Sequence, residues 1–268
     1  MIKIGIIGCG SIGSILAKSI EKDKDFKLSY LYDLKREKAI ELAKKIQKKP
    51  KIVNEIKEMF DSDLIIEAAS QKAVKEYALG ILDHCDLMIM SVGVFANENL
   101  FNKVKEKAKL NNKKVYLPSG AILGLDGVKA ASEGKIKKAI LITRKPPKSL
   151  ASAPYILEKK IDLEKIKKPT LIFEGFAKKA AVKFPQNINV SVALSLAGIG
   201  VKKTKVKIIA DPSIKRNIHQ IIVEGDFGKL ETKSENLPLP SNPKTSYLAA
   251  LSAIKTLKKI KENIILGT

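Results

Sequence analysis

The chain has 268 residues, 45% of them hydrophobic, and a formal net charge of +22 at pH 7; this length suits one large or two modest domains. No apolar run reaches the roughly 18–20 residues that a membrane span needs. Cys9 and Cys85 form neither a disulfide framework nor a metal spacing, and with only His84 and His219 beside them no metal site is expected.

The excess of positive charge would suit nucleic acid. However, all but three of the 50 basic residues are Lys spread along the whole chain, and aromatic residues make up only 5%. The reading is a solvated lysine surface, with no nucleic-acid partner, no membrane association and a cytoplasmic location.

The first 33 residues are the most informative. Ile4, Ile6 and Ile7 lead into Gly8-Cys9-Gly10-Ser11-Ile12-Gly13, and Asp33 follows the last glycine by twenty residues. That order reads as a strand, a G-x-G-x-x-G turn, a helix over about 11–20, a second strand and an acid at its tip, the arrangement that binds a dinucleotide. Gly8 allows the turn out of the strand. Gly10 lets the backbone approach a pyrophosphate. Gly13 lets the helix lie close to the sheet, and the helix start at Ser11 and Ile12 offers N–H groups to the phosphates. Asp33 suits the ribose hydroxyls of NAD, while Lys35 and Arg36 just beyond it keep NADP open.

Further strands are expected at 27–32, 63–66, 87–91 and 114–117, separated by helices at 36–48, 71–84 and 99–110. Strands alternating with helices predict an α/β fold with a doubly wound parallel sheet, the Rossmann arrangement, over residues 1–118. Ligands in such sheets bind at the carboxyl ends of the strands, so Ala69 and Ser70 join the coenzyme candidates.

The pattern changes near Ser119. A helix at 125–133 and a strand at 136–143 precede Arg144-Lys145-Pro146-Pro147-Lys148, which reads as a break in regular structure. A strand at 170–174, helices at 176–183 and 187–197, and strands at 205–210, 218–224 and 229–233 follow. Residues 119–243 are thus expected to form a second α+β domain with mostly antiparallel strands. A Pro-rich stretch at 237–243 leads to a helix over 244–260, with Tyr247, Leu248, Leu251, Ile254 and Leu257 on one face. This last segment, 244–268, is expected to pack back on the first domain.

Chemistry in the second half centres on His219, one residue into a strand after the Asp211-Pro212 turn. An imidazole can move a proton near neutrality, although a lone strand histidine is more often structural. Asn187 suits a helix N-cap, with Asn189 in the first turn; either carboxamide could instead reach coenzyme or substrate. Lys145 and Lys148 flank a Pro-Pro turn and would suit a dicarboxylate, but from spacing alone they read as two more solvated lysines. The readings that compete are a dehydrogenase of this architecture acting on a small substrate such as homoserine, and an NAD-sensing binding protein with a basic surface.

Seven segments in order are similar to those of the L-aspartate dehydrogenase family. They are Gly8 to Gly13; Glu67-Ala68-Ala69-Ser70; Pro118-Ser119-Gly120-Ala121 with Gly124-Leu125-Asp126; Lys145-Pro146-Pro147-Lys148-Ser149-Leu150; Phe184-Pro185-Gln186-Asn187-Ile188-Asn189-Val190; Ala210-Asp211-Pro212 with Asn217-Ile218-His219; and Asn242-Pro243-Lys244-Thr245-Ser246. The resemblance implies NAD- or NADP-dependent oxidative deamination of L-aspartate to iminoaspartate, which feeds NAD biosynthesis through a quinolinate-forming partner enzyme or hydrolyses to oxaloacetate and ammonia. It implies His219 as catalytic acid/base, coenzyme contacts at Ala121 and Asn187, and a homodimer formed through the second domain. On that reading Ser119, Gly120, Lys145, Lys148 and Asn189 are candidates for holding the substrate.

Overall fold

The computed structural model describes residues 1–185, 188–239 and 242–267. The chain divides into two units, one of Met1–Pro118 with Ala250–Asn263 and one of Ser119–Ala249 with the residues from Ile264 on.

The first unit alternates strand and helix: β1 (Ile2–Ile7), α1 (Ser11–Glu21), β2 (Phe26–Tyr32), α2 (Arg36–Lys44), β3 (Lys51–Ile52), β4 (Leu64–Glu67), α3 (Gln71–Ile81), β5 (Asp86–Ile89), α4 (Glu98–Leu110) and β6 (Val115–Tyr116). The sheet order is β3-β2-β1-β4-β5-β6, and every pairing is parallel. The winding direction therefore reverses at β1 and β4, and the carboxyl ends of those strands open the crevice used for nucleotides in this architecture. Residues Ile4–Ile7 of β1 and all of β4 are buried, as central strands covered on both faces must be. Ile4, Ile6, Leu16, Ile20, Leu31, Ile66 and Met88 share one core cluster, each contributing about 1.5–3 kcal/mol by leaving water. Two helices end earlier than their apolar period predicts: α2 stops at Lys44 and α3 at Ile81. The short edge strand β3 follows Pro50, whose ring bars the preceding residue from helix; its two residues are too few to show a strand pattern.

The second unit contains α5 (Leu125–Ser132), β7 (Ile136–Lys145), α6 (Pro154–Glu158), β8 (Thr170–Phe176), α7 (Ala177–Lys183), α8 (Asn189–Ala197), β9 (Lys205–Ala210), β10 (Asn217–Gly225), β11 (Gly228–Asn236), β12 (Pro238–Leu239) and β13 (Asn242–Ser246), followed by α9 (Tyr247–Lys259), most of which belongs to the first unit. Its five-stranded sheet has the order β11-β10-β7-β9-β8. Only β7 and β9 pair in parallel; the other three pairings are antiparallel. One face packs Ala139, Leu141, Ile221 and Val223 against Val128 of α5 and Leu194 of α8.

The structure departs from the sequence reading at the ends of β7 and β11, in the 237–243 stretch and on the buried face of α9. Strand β7 continues through Arg144 to Lys145 instead of breaking there, and β11 continues to Asn236 instead of stopping near 233; β9 pairs with β7 as far as Lys145 and β10 with β11 as far as Asn236, and these ladder partners override the weak local signal. The stretch at 237–243 carries the β12–β13 pairing. Helix α9 buries Ala250, Ala253 and Leu257, whereas Tyr247 and Leu251 of the expected apolar stripe are 45% and 41% exposed. Ala253 and Leu257 join the first unit's core; small side chains let a helix lie close where bulkier ones would hold it off.

Candidate functional site

The glycine turn has the geometry its spacing predicts. Gly8 sits at φ +98°, and a β-carbon there would fall 2.6 Å from the Ala68 carbonyl oxygen. One on Gly13 would fall 1.9 Å from the Gly8 oxygen, so this glycine is what allows α1 to start against the strand end. Gly10 differs: a β-carbon there would meet no protein atom within 4 Å. Its bare backbone caps the start of α1, where N–H groups lack intrahelical partners. Open space before a helix N-terminus fits a pyrophosphate. Ser11 and Ile12 form the first turn of α1, and Ile12 packs partly against the core. Burial pushes the Cys9 thiol up to about 12, which keeps it a neutral packing group.

A pocket of about 300 Å³ opens beside this turn, lined among others by Gly8, Gly10, Asp33, Ala69 and Ser70. Asp33 follows β2, as predicted. Its Oδ2 accepts the Cys9 N–H at 2.8 Å and its Oδ1 accepts the Lys35 N–H at 2.9 Å, so the acid also braces the glycine turn, a role the spacing does not reveal. Tyr32 and Tyr77 meet edge to face at 6.2 Å on the pocket wall, an apolar surface that suits a purine. Of the two cations expected near Asp33, Lys35 lines the pocket, whereas the Arg36 guanidinium donates to the Asn54 side chain. Lys38 and Lys72 line it as well. Asp33→Ala is expected to weaken NAD more than NADP by calorimetry, because only NAD depends on a carboxylate for both ribose hydroxyls. Equal losses would reduce Asp33 to a brace.

Glu67 was quoted above only as part of a motif, yet it organises this region. It is 2% exposed at the end of β4. Its Oε1 accepts the N–H groups of Ala69 and Ser70 and the Ser91 hydroxyl, and its Oε2 accepts the Ser91 N–H, all at 2.8–3.0 Å. Burial raises its pKa despite these four donors. The carboxylate thereby ties the segments after β4 and β5 together. An acid closing an otherwise apolar strand, Leu-Ile-Ile-Glu, was the available signal. Ser70 then caps α3 by accepting the Ala73 N–H.

In the second unit, His219 lies on β10 and is 5% exposed. The ladders place it opposite Thr143 of β7 and Ser234 of β11. Its Nδ1 is 3.0 Å from Thr143 Oγ1. Burial, and secondarily the charge of Lys145, hold its pKa down to about 3, so the imidazole of the free protein is neutral at pH 7. Lys145 is 6% exposed, and burial lowers its pKa to about 8. Strand alternation explains the placement: Ala139, Leu141, Thr143 and Lys145 share a parity, as do Asn217, His219, Ile221 and Val223, so the buried face is apolar at one end and polar at the other.

The two lysines expected to act as a rigid pair around the Pro-Pro turn are therefore unlike each other. Lys145 is buried in the sheet, whereas Lys148 is exposed in a short 3-10 turn. Ser119 and Gly120 lie in the turn after Pro118, with Gly120 at φ +71°. Ala121 follows, buried, its carbonyl oxygen accepting hydrogen bonds from Ser234 Oγ at 2.8 Å and Asn236 Nδ2 at 3.1 Å. Phe184, at the end of α7, packs on Phe173 at 5.3 Å and Tyr155 at 5.4 Å. Asn187 lies outside the described residues. Helix α8 starts at Asn189, which is exposed, with Ile188 in the capping position. The geometry thus groups Gly8, Gly10, Asp33, Ala69 and Ser70 in one unit, and groups His219 with Lys145, Thr143 and Ser234 in the other. Thr143, Ser234 and Asn236 were not singled out from sequence; polar residues at inward positions of strands are the signal, readable only once the strand ends are known.

The fold agrees with what is found in known proteins. Residues 8–118 match the family model described as homoserine dehydrogenase, NAD binding domain, and residues 126–260 match aspartate dehydrogenase, C-terminal. Over the full length of both chains the protein is 49% identical to an L-aspartate dehydrogenase of Methanococcoides burtonii and 49% identical to one of Methanosarcina acetivorans. The crystal structure of aspartate dehydrogenase from Thermotoga maritima superposes with a TM-score of 0.79 at 32% identity, with all of each chain covered. With a dinucleotide-binding first unit and similarity that extends through both units, the chain is an NAD(P)-dependent oxidoreductase and belongs to the aspartate dehydrogenase family.

Proposed function

We propose that this protein oxidises L-aspartate to iminoaspartate with NAD or NADP, the imine passing to a quinolinate-forming enzyme or hydrolysing to oxaloacetate and ammonia. The observation that carries this reading is a buried imidazole and a buried ammonium on one sheet face, in a chain whose other unit presents a complete dinucleotide turn. A homoserine-type substrate is disfavoured, because the homoserine dehydrogenase model matches only the nucleotide half. Similarity to catalysts along the whole chain disfavours a sensing protein without turnover.

The bound nicotinamide coenzyme supplies the hydride acceptor. The α-carbon loses hydride, the C–N bond becomes a C=N bond, and the amine loses a proton. His219, neutral in the free protein, takes that proton. Lys145 is assigned to one substrate carboxylate and the N–H groups at Ser119 and Gly120 to the other, with Lys148 and Asn189 as further candidates for the anion site. Ala121 and Asn187 are the residues of this unit that would meet the coenzyme. Two carboxylates near His219 oppose the charge of Lys145 and raise the basicity of the imidazole when it is needed. In the nucleotide unit the turn at Gly10 and the start of α1 would hold the pyrophosphate, and Asp33 would bind the ribose hydroxyls.

The outward face of the five-stranded sheet, where half-buried Ile142, Ile218 and Gln220 line a recess with Arg144 and Lys233, is the surface we assign to a homodimer formed through this unit; a monomer mass by light scattering would exclude it. The two buried free cysteines suit a reducing compartment, and on that ground we place the enzyme in the cytoplasm. The decisive assay is NAD(P)H formation with L-aspartate against L-glutamate, L-alanine and L-homoserine. Faster turnover of any of the other three would overturn the substrate assignment.

A further inference from the structure

We propose that Thr143 and Ser234, which stand on either side of His219 in the sheet, are positioning residues of this site. Thr143 sets which imidazole nitrogen takes the substrate proton, and Ser234 with Asn236 fixes Ala121. The inference rests on the reading of His219 as the base.

The three residues form one row across the sheet. His219 pairs with Thr143 on β7 and with Ser234 on β11, and all three are buried, at 2%, 5% and 7% exposure for Thr143, His219 and Ser234. A neutral imidazole carries a proton on one nitrogen only, and the partner of that nitrogen selects the tautomer. Thr143 Oγ1 lies 3.0 Å from Nδ1. With Nδ1–H donating to Oγ1, the Nε2 lone pair is left to accept a proton. With the hydroxyl donating to Nδ1, Nε2 carries hydrogen and the ring cannot act as a base at that atom. The working enzyme needs the first arrangement, and Thr143 supplies its acceptor.

On the other side of the row, Ser234 Oγ donates to the Ala121 carbonyl, and Asn236 Nδ2 donates both to that carbonyl and to Ser234 Oγ at 3.1 Å. Two donors occupy the two lone pairs of the Ala121 oxygen. A coenzyme group that meets Ala121 backbone therefore meets its N–H rather than its carbonyl. One row of the sheet thus sets both the proton acceptor and the segment assigned to the coenzyme.

The two sides of the row separate in experiment. Thr143→Val leaves the imidazole without its acceptor. It should lower kcat by roughly 10–100-fold, leave the coenzyme KM unchanged and shift the ring ¹⁵N resonances of His219 away from the Nδ1–H form in the free protein. Thr143→Ser, which keeps the hydroxyl, should restore most of the turnover. Ser234→Ala should raise the coenzyme KM and Kd several-fold, with the pH profile of kcat and the His219 tautomer as in the wild type. A Thr143→Val enzyme with wild-type kcat and tautomer, no rescue by Thr143→Ser, or a Ser234→Ala protein with unchanged coenzyme affinity overturns the proposal. If Thr143→Val does not fold, the ¹⁵N spectrum of the wild-type protein decides: an Nε2–H form in the free protein also overturns it. Wild-type protein that fails to oxidise aspartate would instead refute the proposed function, while the tautomer and coenzyme-affinity measurements still test the row.

Discussion

His219→Ala should lower the turnover of aspartate by roughly 10²–10⁴-fold, the usual loss when a positioned acid/base is removed, while the coenzyme Kd measured by calorimetry stays near the wild-type value. The split follows from placement: His219 belongs to the second unit, whereas the glycine turn, Asp33 and the pocket beside them belong to the first. Unchanged turnover would remove His219 from the mechanism. The same residue predicts two pH effects. Burial, then the charge of Lys145, hold the free imidazole at about 3 instead of 6.5. The acid limb of kcat/KM, which reports the free enzyme, should therefore lie well below 6.5, whereas the limb of kcat should lie higher, because two substrate carboxylates favour the imidazolium.

Stability follows the same linkage. Between pH 6.5 and about 3 the unfolded chain binds a proton at His219 that the native chain does not. This stabilising contribution is thus fully present above 6.5 and is lost as the pH falls through that window. His219→Ala should flatten the acid side of the Tm-against-pH curve. Parallel wild-type and variant curves would contradict the depressed pKa.

Lys145→Met should make the protein more stable at pH 7 and nearly inactive on aspartate. Burial lowers the Lys145 ammonium from 10.5 to about 8, a difference that corresponds to roughly 3 kcal/mol of cost for keeping the charge in the folded interior at neutral pH. Met fills a similar volume without a charge, and such replacements in cores are often stabilising. The sign is specific to pH. Below about 8 both folded and unfolded chains carry the proton and the cost is constant. From 8 to 10.5 only the unfolded chain retains it, so wild-type stability rises and the gap to Lys145→Met narrows. Chemical denaturation at pH 7 and pH 9.5 measures this directly. The aspartate KM should rise strongly, because the variant lacks the cation assigned to a carboxylate. A Lys145→Met protein that is less stable at pH 7, or that keeps the wild-type aspartate KM, would show that the lysine serves the fold rather than the substrate. A costly buried charge retained next to the base is the pattern of a functional site.

Local patterns in the chain determined the nucleotide unit almost completely. The glycine spacing, the continuous apolar runs of β1 and β4 and the acid after β2 are short-range features. Each constrains the backbone through sterics or burial that involve only neighbouring residues or a single packed face, so Gly8, Gly13 and Asp33 stand where the spacing predicts. His219 stood out as a candidate only through the family resemblance, since a lone strand histidine is more often structural. What surrounds it was not legible. Whether β7 ends at 143 or 145, and whether β11 ends at 233 or 236, depends on ladder partners on other strands, β9 and β10. Those few residues decide that Lys145 is buried while Lys148 is exposed, and that Ser234 and Asn236 turn inward. Register is a long-range property: a strand's side chains alternate with a period of two, and only pairing with another strand says where that alternation stops. The tertiary structure alone therefore decided which polar residues surround the imidazole, just as it decided that α9 buries its alanines in place of its bulkier stripe and that Glu67 binds two loops together.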